Sequence, residues 1–111
     1  MLLAATFSVS ARAAQLSTPE RTLDHYIKSL ISKDYHGIKE STTYGNDFKI
    51  TETIKIETYK IVQKEKLQDG SMRLVVVQEE DDGQHTYTYL LQHIKGIWKI
   101  IDHEEWGIDS E

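Results

Sequence analysis

The chain has 111 residues, a formal net charge of −5 and no cysteine. Its hydrophobic content of 39% is enough for one packed core, so we expect a single folded domain rather than a disordered chain. The lack of cysteine excludes disulfides and thiolate chemistry, and an acidic balance without a basic cluster argues against a nucleic-acid partner. No run approaches the roughly 20 apolar residues of a transmembrane helix, so no membrane span is expected.

The first 14 residues differ from the rest of the chain. They contain no acid and a single base, Arg12. The apolar run from Leu2 to Phe7 precedes Ala11-Arg12-Ala13, which has the small-x-small pattern of a signal-peptide cleavage site. We interpret residues 1–14 as the remnant of a secretory signal peptide and residues 15–111 as the domain itself. The protein is then exported; the alternative is a frayed tail or a short extra helix on a cytoplasmic protein.

A helix is predicted from Pro19 to Ser32. Thr18 is suited to cap its free amide groups, Pro19 suits the first helical position, and Glu20 is favoured by the helix dipole. The apolar residues that recur at helical spacing are Leu23, Ile27, Leu30 and Ile31, with Tyr26 at the edge of the stripe.

A second, short helix is predicted from Tyr35 to Glu40. Asp34 is suited to cap it, whereas Gly37 weakens it. The polar segment from Ser41 to Asp47 is predicted to be a loop.

The segment from Lys49 to Trp106 predicts four antiparallel strands. They are joined by tight turns at Asp69-Gly70, Asp82-Gly83 and Lys95-Gly96, which are strong hairpin signals between apolar runs. The apolar residues of the first strand change parity near Thr58, which predicts either a β-bulge or two separate strands. The expected fold is α+β, with one or two N-terminal helices packed on a curved four-stranded meander.

The turns also predict how the strands pair. A two-residue turn at the last hairpin pairs Tyr89 with Asp102, and one at the middle hairpin pairs Leu74 with Leu91. Alternation then places one set of side chains on the face that the first helix covers. This core face consists of Met72, Leu74, Val76, Tyr89, Leu91, His93, Trp98 and Ile100.

The opposite, outer face of the sheet is less polar than a solvated face is expected to be. It carries Val75, Val77, Leu90 and Ile101. Clustered aliphatic side chains on an open face indicate a partner, most simply a second copy of the chain. We therefore expect a homodimer through these four residues; the alternative is that they are present for β-propensity alone.

The order of elements resembles the nuclear transport factor 2-like superfamily, the cystatin-like α+β roll. The matching pieces are Thr18-Pro19-Glu20, Lys33-Asp34-Tyr35, Tyr87-Thr88-Tyr89 and the closing Gly96-Ile97-Trp98-Lys99-Ile100. The resemblance implies a cone-like roll with a pocket between helix and sheet, and frequent dimers through the sheet. Larger members wall the pocket with two further helices, for which this chain has no room, so we expect a shallow or filled pocket.

One end of the core face is the candidate ligand pocket. Family enzymes of this type use a carboxylate as general base and a tyrosine hydroxyl to stabilise an oxyanion, which makes Asp102 and Tyr89 candidate catalytic residues. The alternative is that Asp102, beyond the last apolar residue of its strand, points to water. The predicted pocket residues are Tyr26, Tyr87, Tyr89, His93, Trp98 and Asp102.

We expect no cofactor and no metal site. The acidic run from Glu79 to Gly83 lacks the ligand spacing of an EF-hand and serves as a hairpin tip. Adjacent residues from Asp102 to Glu105 point to opposite faces of a strand. The sequence therefore favours a non-enzymatic domain that binds a small apolar ligand or a protein. The alternative is a small isomerase- or dehydratase-like enzyme that uses the Asp102–Tyr89 pair.

Overall fold

The structure, a computed structural model, describes residues 14–44 and 55–106. The predicted signal-peptide run up to residue 13, the end of the predicted loop (residues 45–47) and the start of the predicted first strand (residues 49–54) lie outside the described residues. Two helices precede a four-stranded antiparallel sheet whose strands lie side by side in chain order, so the predicted α+β meander is confirmed. The sheet is curled but not closed. The elements are α1 (Pro19–Ser32), α2 (Tyr35–Ser41), β1 (Ile56–Lys66), β2 (Met72–Glu80), β3 (Gly83–Ile94) and β4 (Ile97–Glu105).

Helix α1 begins and ends at the predicted residues. The backbone N–H of Arg21 donates to Thr18 Oγ1 at 3.1 Å, which caps the first turn. Lys33 ends the helix in the left-handed conformation (φ 58°). Leu23, Tyr26, Ile27 and Leu30 are buried as the periodicity predicts.

The prediction for Ile31 was wrong, because its side chain is 49% exposed. Helix α2 packs on the side of α1 that carries Ser29, and the backbone N–H of Asp34 donates to the Ser29 carbonyl at 2.8 Å. The buried arc of α1 is therefore centred nearer Tyr26, and Ile31 falls outside it.

Helix α2 attaches the helical layer to the open edge of the sheet. Asp34 Oδ1 accepts from the Gly37 backbone N–H at 3.2 Å and caps the helix as predicted. The residue after the helix, Thr42, forms a parallel bridge to Ile100 of β4. The beginning of the predicted loop therefore extends the sheet by one short bridge.

The last and middle hairpins differ in how well the sequence predicted them. The last turn is as expected: Ile94 pairs with Ile97, and both turn residues have positive φ (Lys95 53°, Gly96 88°). The middle turn lies one residue earlier than predicted, with Glu80 paired with Gly83. Glycine takes the only positive φ there (127°), so the two aspartates at the tip avoid the left-handed region.

The shifted middle turn changes strand pairing but not the faces of the sheet. Leu74 pairs with Tyr89 instead of Leu91, which is a slip of two residues. Because side chains alternate with a period of two, such a slip leaves each side chain on its predicted face. The core face is consequently correct although the register is wrong.

Bulges shape both edge strands. In β1 the register shifts between Ile56 and Thr58, so the predicted bulge in one continuous strand is confirmed; a second shift lies between Ile61 and Gln63. In β4 the pairing shifts next to Ile101, which is the extra residue.

The bulge in β4 makes the predicted pairing of Tyr89 with Asp102 wrong. Leu91 pairs with Ile100 as expected, but beyond the bulge Leu90 pairs with Asp102 and Tyr89 pairs with His103. The sequence gives no sign of the bulge, because the residues at positions 100 and 101 are both apolar.

The hydrophobic core lies between the helices and the core face of the sheet. The α1 side chains and Ile38 of α2 pack against it, and Trp98 is only half-buried at its margin. His93 was predicted on this face but is exposed, because it lies at the end of the sheet beside the last turn. The buried sheet residues are Leu74, Val76, Tyr89, Leu91 and Ile100.

Candidate functional site

Three of the predicted pocket residues come together at one end of the core face. The rings of Tyr26 and Tyr89 meet edge to face with centroids 5.9 Å apart, and those of Tyr87 and Tyr89 are 6.1 Å apart. The Tyr89 side chain is 2% exposed. These rings therefore fill the space between helix and sheet as part of the core.

A buried chain of hydrogen bonds leads from this aromatic cluster toward the β2–β3 turn. The Tyr89 hydroxyl donates to Gln78 Oε1 at 2.8 Å, and Gln78 Nε2 donates to Glu80 Oε2 at 3.0 Å. Tyr87 also donates to Glu80 Oε2, at 3.2 Å. Burial is the main cause that raises the pKa of Tyr89 well above its usual value. The hydroxyl of Tyr89 therefore remains a hydrogen-bond donor.

His103 occupies the position that the sequence assigned to Asp102. Its ring stacks on Tyr89 with centroids 5.9 Å apart, and Nδ1 lies 2.7 Å from the hydroxyl of Tyr44. Burial against these rings lowers the pKa of His103, and the nearby charge of Asp102 opposes that shift. The side chain next to Tyr89 is thus a histidine that favours its neutral form.

Asp102 pairs with Leu90 of the outer face and not with Tyr89. It is exposed and lines a shallow depression of about 190 Å³ together with Thr88 and Leu90, which belong to the outer face. The structure therefore does not form the Asp102–Tyr89 pair on which the enzyme alternative depends.

His93 and Trp98 form a separate pair at the other end of the sheet. Their ring centroids are 5.2 Å apart. The backbone N–H of Trp98 donates to the Leu16 carbonyl at 2.9 Å, and Thr22 Oγ1 donates to the Trp98 carbonyl at 3.0 Å. The six predicted pocket residues are thus divided among three places and do not line one cavity together.

A cluster of charged side chains surrounds His85 at the β2–β3 turn. His85 Nδ1 lies 2.6 Å from Glu105 Oε2, and Nε2 lies 2.7 Å from Asp82 Oδ1 and 3.6 Å from Glu80 Oε1. The hydrogen bonds to Glu105 and then Asp82 raise the pKa of His85 to about 9, while burial opposes this shift. Without another ligand, the ring is an imidazolium held by carboxylates at neutral pH.

From the sequence, the acidic run predicts only a hairpin tip and not this cluster. The corrected turn brings Glu80 and His85 toward each other, and the bulge in β4 places Glu105 opposite Tyr87. The alternation of side chains did contain a signal for the cluster. Glu80 has the same parity as the buried Val76, and His85 has the same parity as Tyr87, so both are expected on the core face.

The predicted dimer residues share the outer face. Val75 is 6% exposed, whereas Val77, Leu90 and Ile101 are half-buried. Trp106, which follows β4, is 52% exposed, and its indole Nε1 donates to Thr88 Oγ1 at 2.7 Å. The indole therefore lies against the outer face and extends its apolar surface.

These features define a small α+β domain with a tyrosine-filled core, an apolar outer sheet face and a carboxylate–histidine cluster. No family model, no curated protein and no solved structure matches the chain. The likeness to the nuclear transport factor 2-like superfamily therefore remains a prediction. Within the described residues, no helix is both long and apolar enough to cross a membrane.

Proposed function

We propose that this protein is a non-enzymatic interaction domain that forms a homodimer through the outer face of its sheet. The observation that carries the proposal is the apolar surface that the half-buried Val77, Leu90 and Ile101 leave on the outer face beside Trp106, which is 52% exposed; Val75 is already buried within the chain. The described helices pack on the opposite face, where they build the hydrophobic core with the sheet. An apolar face that a domain does not cover with its own elements is typical of an interface.

Trp106 is the expected anchor of this interface. Tryptophan is enriched among the residues that contribute most to binding, and here half of its surface is available while Thr88 fixes the indole. The half-buried side chains of Val77 and Leu90 lie on the same face. An apolar surface built from strand side chains beside one aromatic anchor suits a second sheet better than a small molecule.

The charges at the two edges favour a second copy of this chain as the occupant. Strand β1 carries Lys60 on the outer face beside Val77, whereas β4 carries Glu104 beside Thr88. A two-fold axis parallel to the strands lays β1 of each copy over β4 of the other. Lys60 then approaches Glu104 of the partner subunit, twice in each dimer.

Charge substitutions in the outer face test this proposal. Leu90→Glu and Val77→Glu each place a carboxylate in the apolar centre, and burying an unpaired charge is strongly unfavourable. We expect both variants of the full chain to sediment as monomers at concentrations where the wild type is a dimer. The matched control is Ile31→Glu, which adds the same charge at an apolar residue 49% exposed on α1.

The control variant should keep the wild-type mass, and circular dichroism should show that all three variants remain folded. Dimers of unchanged stability in Leu90→Glu and Val77→Glu would contradict the proposed interface. Loss of the dimer in Ile31→Glu as well would assign the contact to the helices instead.

The proposal of export rests on the sequence pattern alone, and the first described residues are compatible with it. Leu16 is already 1% exposed and bonded through its carbonyl to Trp98. Cleavage near Ala13 or Ala14 leaves this contact intact. Mass spectrometry of protein from the medium or periplasm of an exporting host should show an N-terminus at residue 14 or 15; an uncleaved chain retained in the cytoplasm would contradict export.

A further inference from the structure

We propose that Glu80, Asp82 and His85 form a binding site for a divalent transition-metal ion, and that Zn²⁺ is the ion the site fits best. The site lies at the β2–β3 turn and is independent of the proposed dimer.

The potential ligand atoms converge on one point. One atom from each of the three side chains lies within 4.8 Å of the other two. His85 Nε2 lies 3.6 Å from Glu80 Oε1 and 2.7 Å from Asp82 Oδ1. Donors about 2.0–2.2 Å from a tetrahedral ion are about 3.4 Å apart. Relative to His85 Nε2, Glu80 Oε1 already lies near that spacing, and Asp82 Oδ1 would move outward by less than about an ångström.

Asp82 is able to make that movement. Its side chain is 69% exposed at the tip of the turn, and its contact with His85 is with Nε2. The metal ion takes the place of the proton that otherwise lies between these two atoms. Each ligand then gives one lone pair to the ion, and water completes the coordination from the exposed side.

The other atoms of the ligands are held by partners that would not touch the ion. Glu105 contacts Nδ1 of His85 at 2.6 Å, which leaves Nε2 as the metal-binding nitrogen. Gln78 and Tyr87 both donate to Oε2 of Glu80, which leaves Oε1 directed at His85. A carboxylate behind a histidine and donors behind a carboxylate are the arrangement that orients ligands in metal sites.

The donor set selects among metal ions. One imidazole nitrogen with two carboxylate oxygens suits Zn²⁺ and its neighbours in the transition series, whereas Ca²⁺ and Mg²⁺ prefer six or more oxygen donors. A bound ion would join the β2–β3 turn to the end of β4 through His85 and Glu105. Metal binding is therefore expected to raise the thermal unfolding temperature of the protein.

Calorimetric titration of the metal-stripped full chain with ZnCl₂ tests the proposal. We expect one Zn²⁺ per chain and much weaker binding of CaCl₂ or MgCl₂. Asp82→Asn and His85→Gln should each weaken Zn²⁺ binding at least about tenfold, and Glu105→Ala should weaken it about 10- to 100-fold through loss of orientation. Asp81→Asn, a neutralised acid on the same turn but outside the cluster, should bind Zn²⁺ like the wild type.

Two outcomes would overturn the proposal. The first is the absence of saturable Zn²⁺ binding. The second is binding that survives His85→Gln and is lost in His36→Gln. That result would place the ion at the pair of contacts that Glu40 makes with His25 (3.2 Å) and His36 (3.3 Å). Because Asp82 is exposed, the Asp82→Asn variant is expected to fold. The visible spectrum with Co²⁺ gives a second readout: we expect the bands of a tetrahedral complex in the wild type and not in this variant.

Discussion

The hydroxyl group of Tyr89 lies inside a buried chain of hydrogen bonds. Its acceptor, Gln78, is 2% exposed and passes the chain on to Glu80. A buried acceptor that loses its donor keeps the full cost of its desolvation. This one hydroxyl therefore connects the aromatic core with the charged cluster at the β2–β3 turn.

Replacement of Tyr89 by phenylalanine should destabilise the protein by about 1–3 kcal/mol, because Gln78 Oε1 is left without its donor. Urea unfolding followed by circular dichroism measures the change. Tyr59→Phe is the control: its hydroxyl donates at 2.8 Å to Asp24, which Lys28 and water also reach. A Tyr89→Phe variant as stable as wild type would show that the buried chain contributes nothing.

His103 should titrate at a lower pH than a histidine in the unfolded chain, because partial burial of its ring against Tyr44 and Tyr89 lowers its pKa although the residue keeps an exposed surface. The unfolded chain then binds a proton at His103 before the folded chain does. The contribution of His103 to stability is full above the unfolded pKa of about 6.5 and is lost as the pH falls below it.

NMR titration of the histidine ring protons of the metal-free protein measures this pKa directly. We expect His103 below 6.5 and His85 near 9, at opposite ends of the histidine range. In His103→Gln, part of the loss of stability between pH 7 and 5 should disappear. A His103 pKa at or above 6.5 would show that contact with the tyrosine rings does not disfavour the charged imidazolium.

At the scale of the elements, the helix and the turn with the strongest local sequence signals were predicted most accurately. Helix α1 followed from its cap, its proline and its apolar period, and the Lys95-Gly96 turn followed from its need for positive φ. The Asp-Gly signal of the middle turn was misplaced because a glycine just after the tip satisfies the turn as well as one within it.

Gly37 was expected to weaken α2, and the structure shows why a glycine is needed there. A Cβ atom at this position would collide with Oγ of Ser29 and come within 3.0 Å of its Cβ atom. At Gly37, helix α2 therefore lies closer to α1 than a residue with a Cβ atom would permit.

Gly37→Ala should lower the free energy of unfolding by about 1–3 kcal/mol, because the collision outweighs the gain in helix propensity of about 1 kcal/mol. Thermal and urea unfolding check this result. Ser29→Ala combined with Gly37→Ala should recover part of the loss, since it removes the nearest atom. A Gly37→Ala variant more stable than wild type would mean that the helices separate at little cost.

At the scale of the whole molecule, the core was predictable and the candidate sites were not. The faces of the sheet depend only on parity, which a slip of two residues in one hairpin preserves. The neighbours of a given side chain depend on the register itself, and one extra residue at Ile101 moved Asp102 away from Tyr89. The His85 cluster depends on both the shifted turn and that bulge.

The homodimer through the outer face is the central claim, and sedimentation equilibrium of the full wild-type chain over a dilution series tests it most directly. We predict a mass of twice the 12.8 kDa chain at high concentration, falling toward the monomer on dilution. A mass equal to one chain at every concentration would contradict the claim and leave the outer face without its proposed partner.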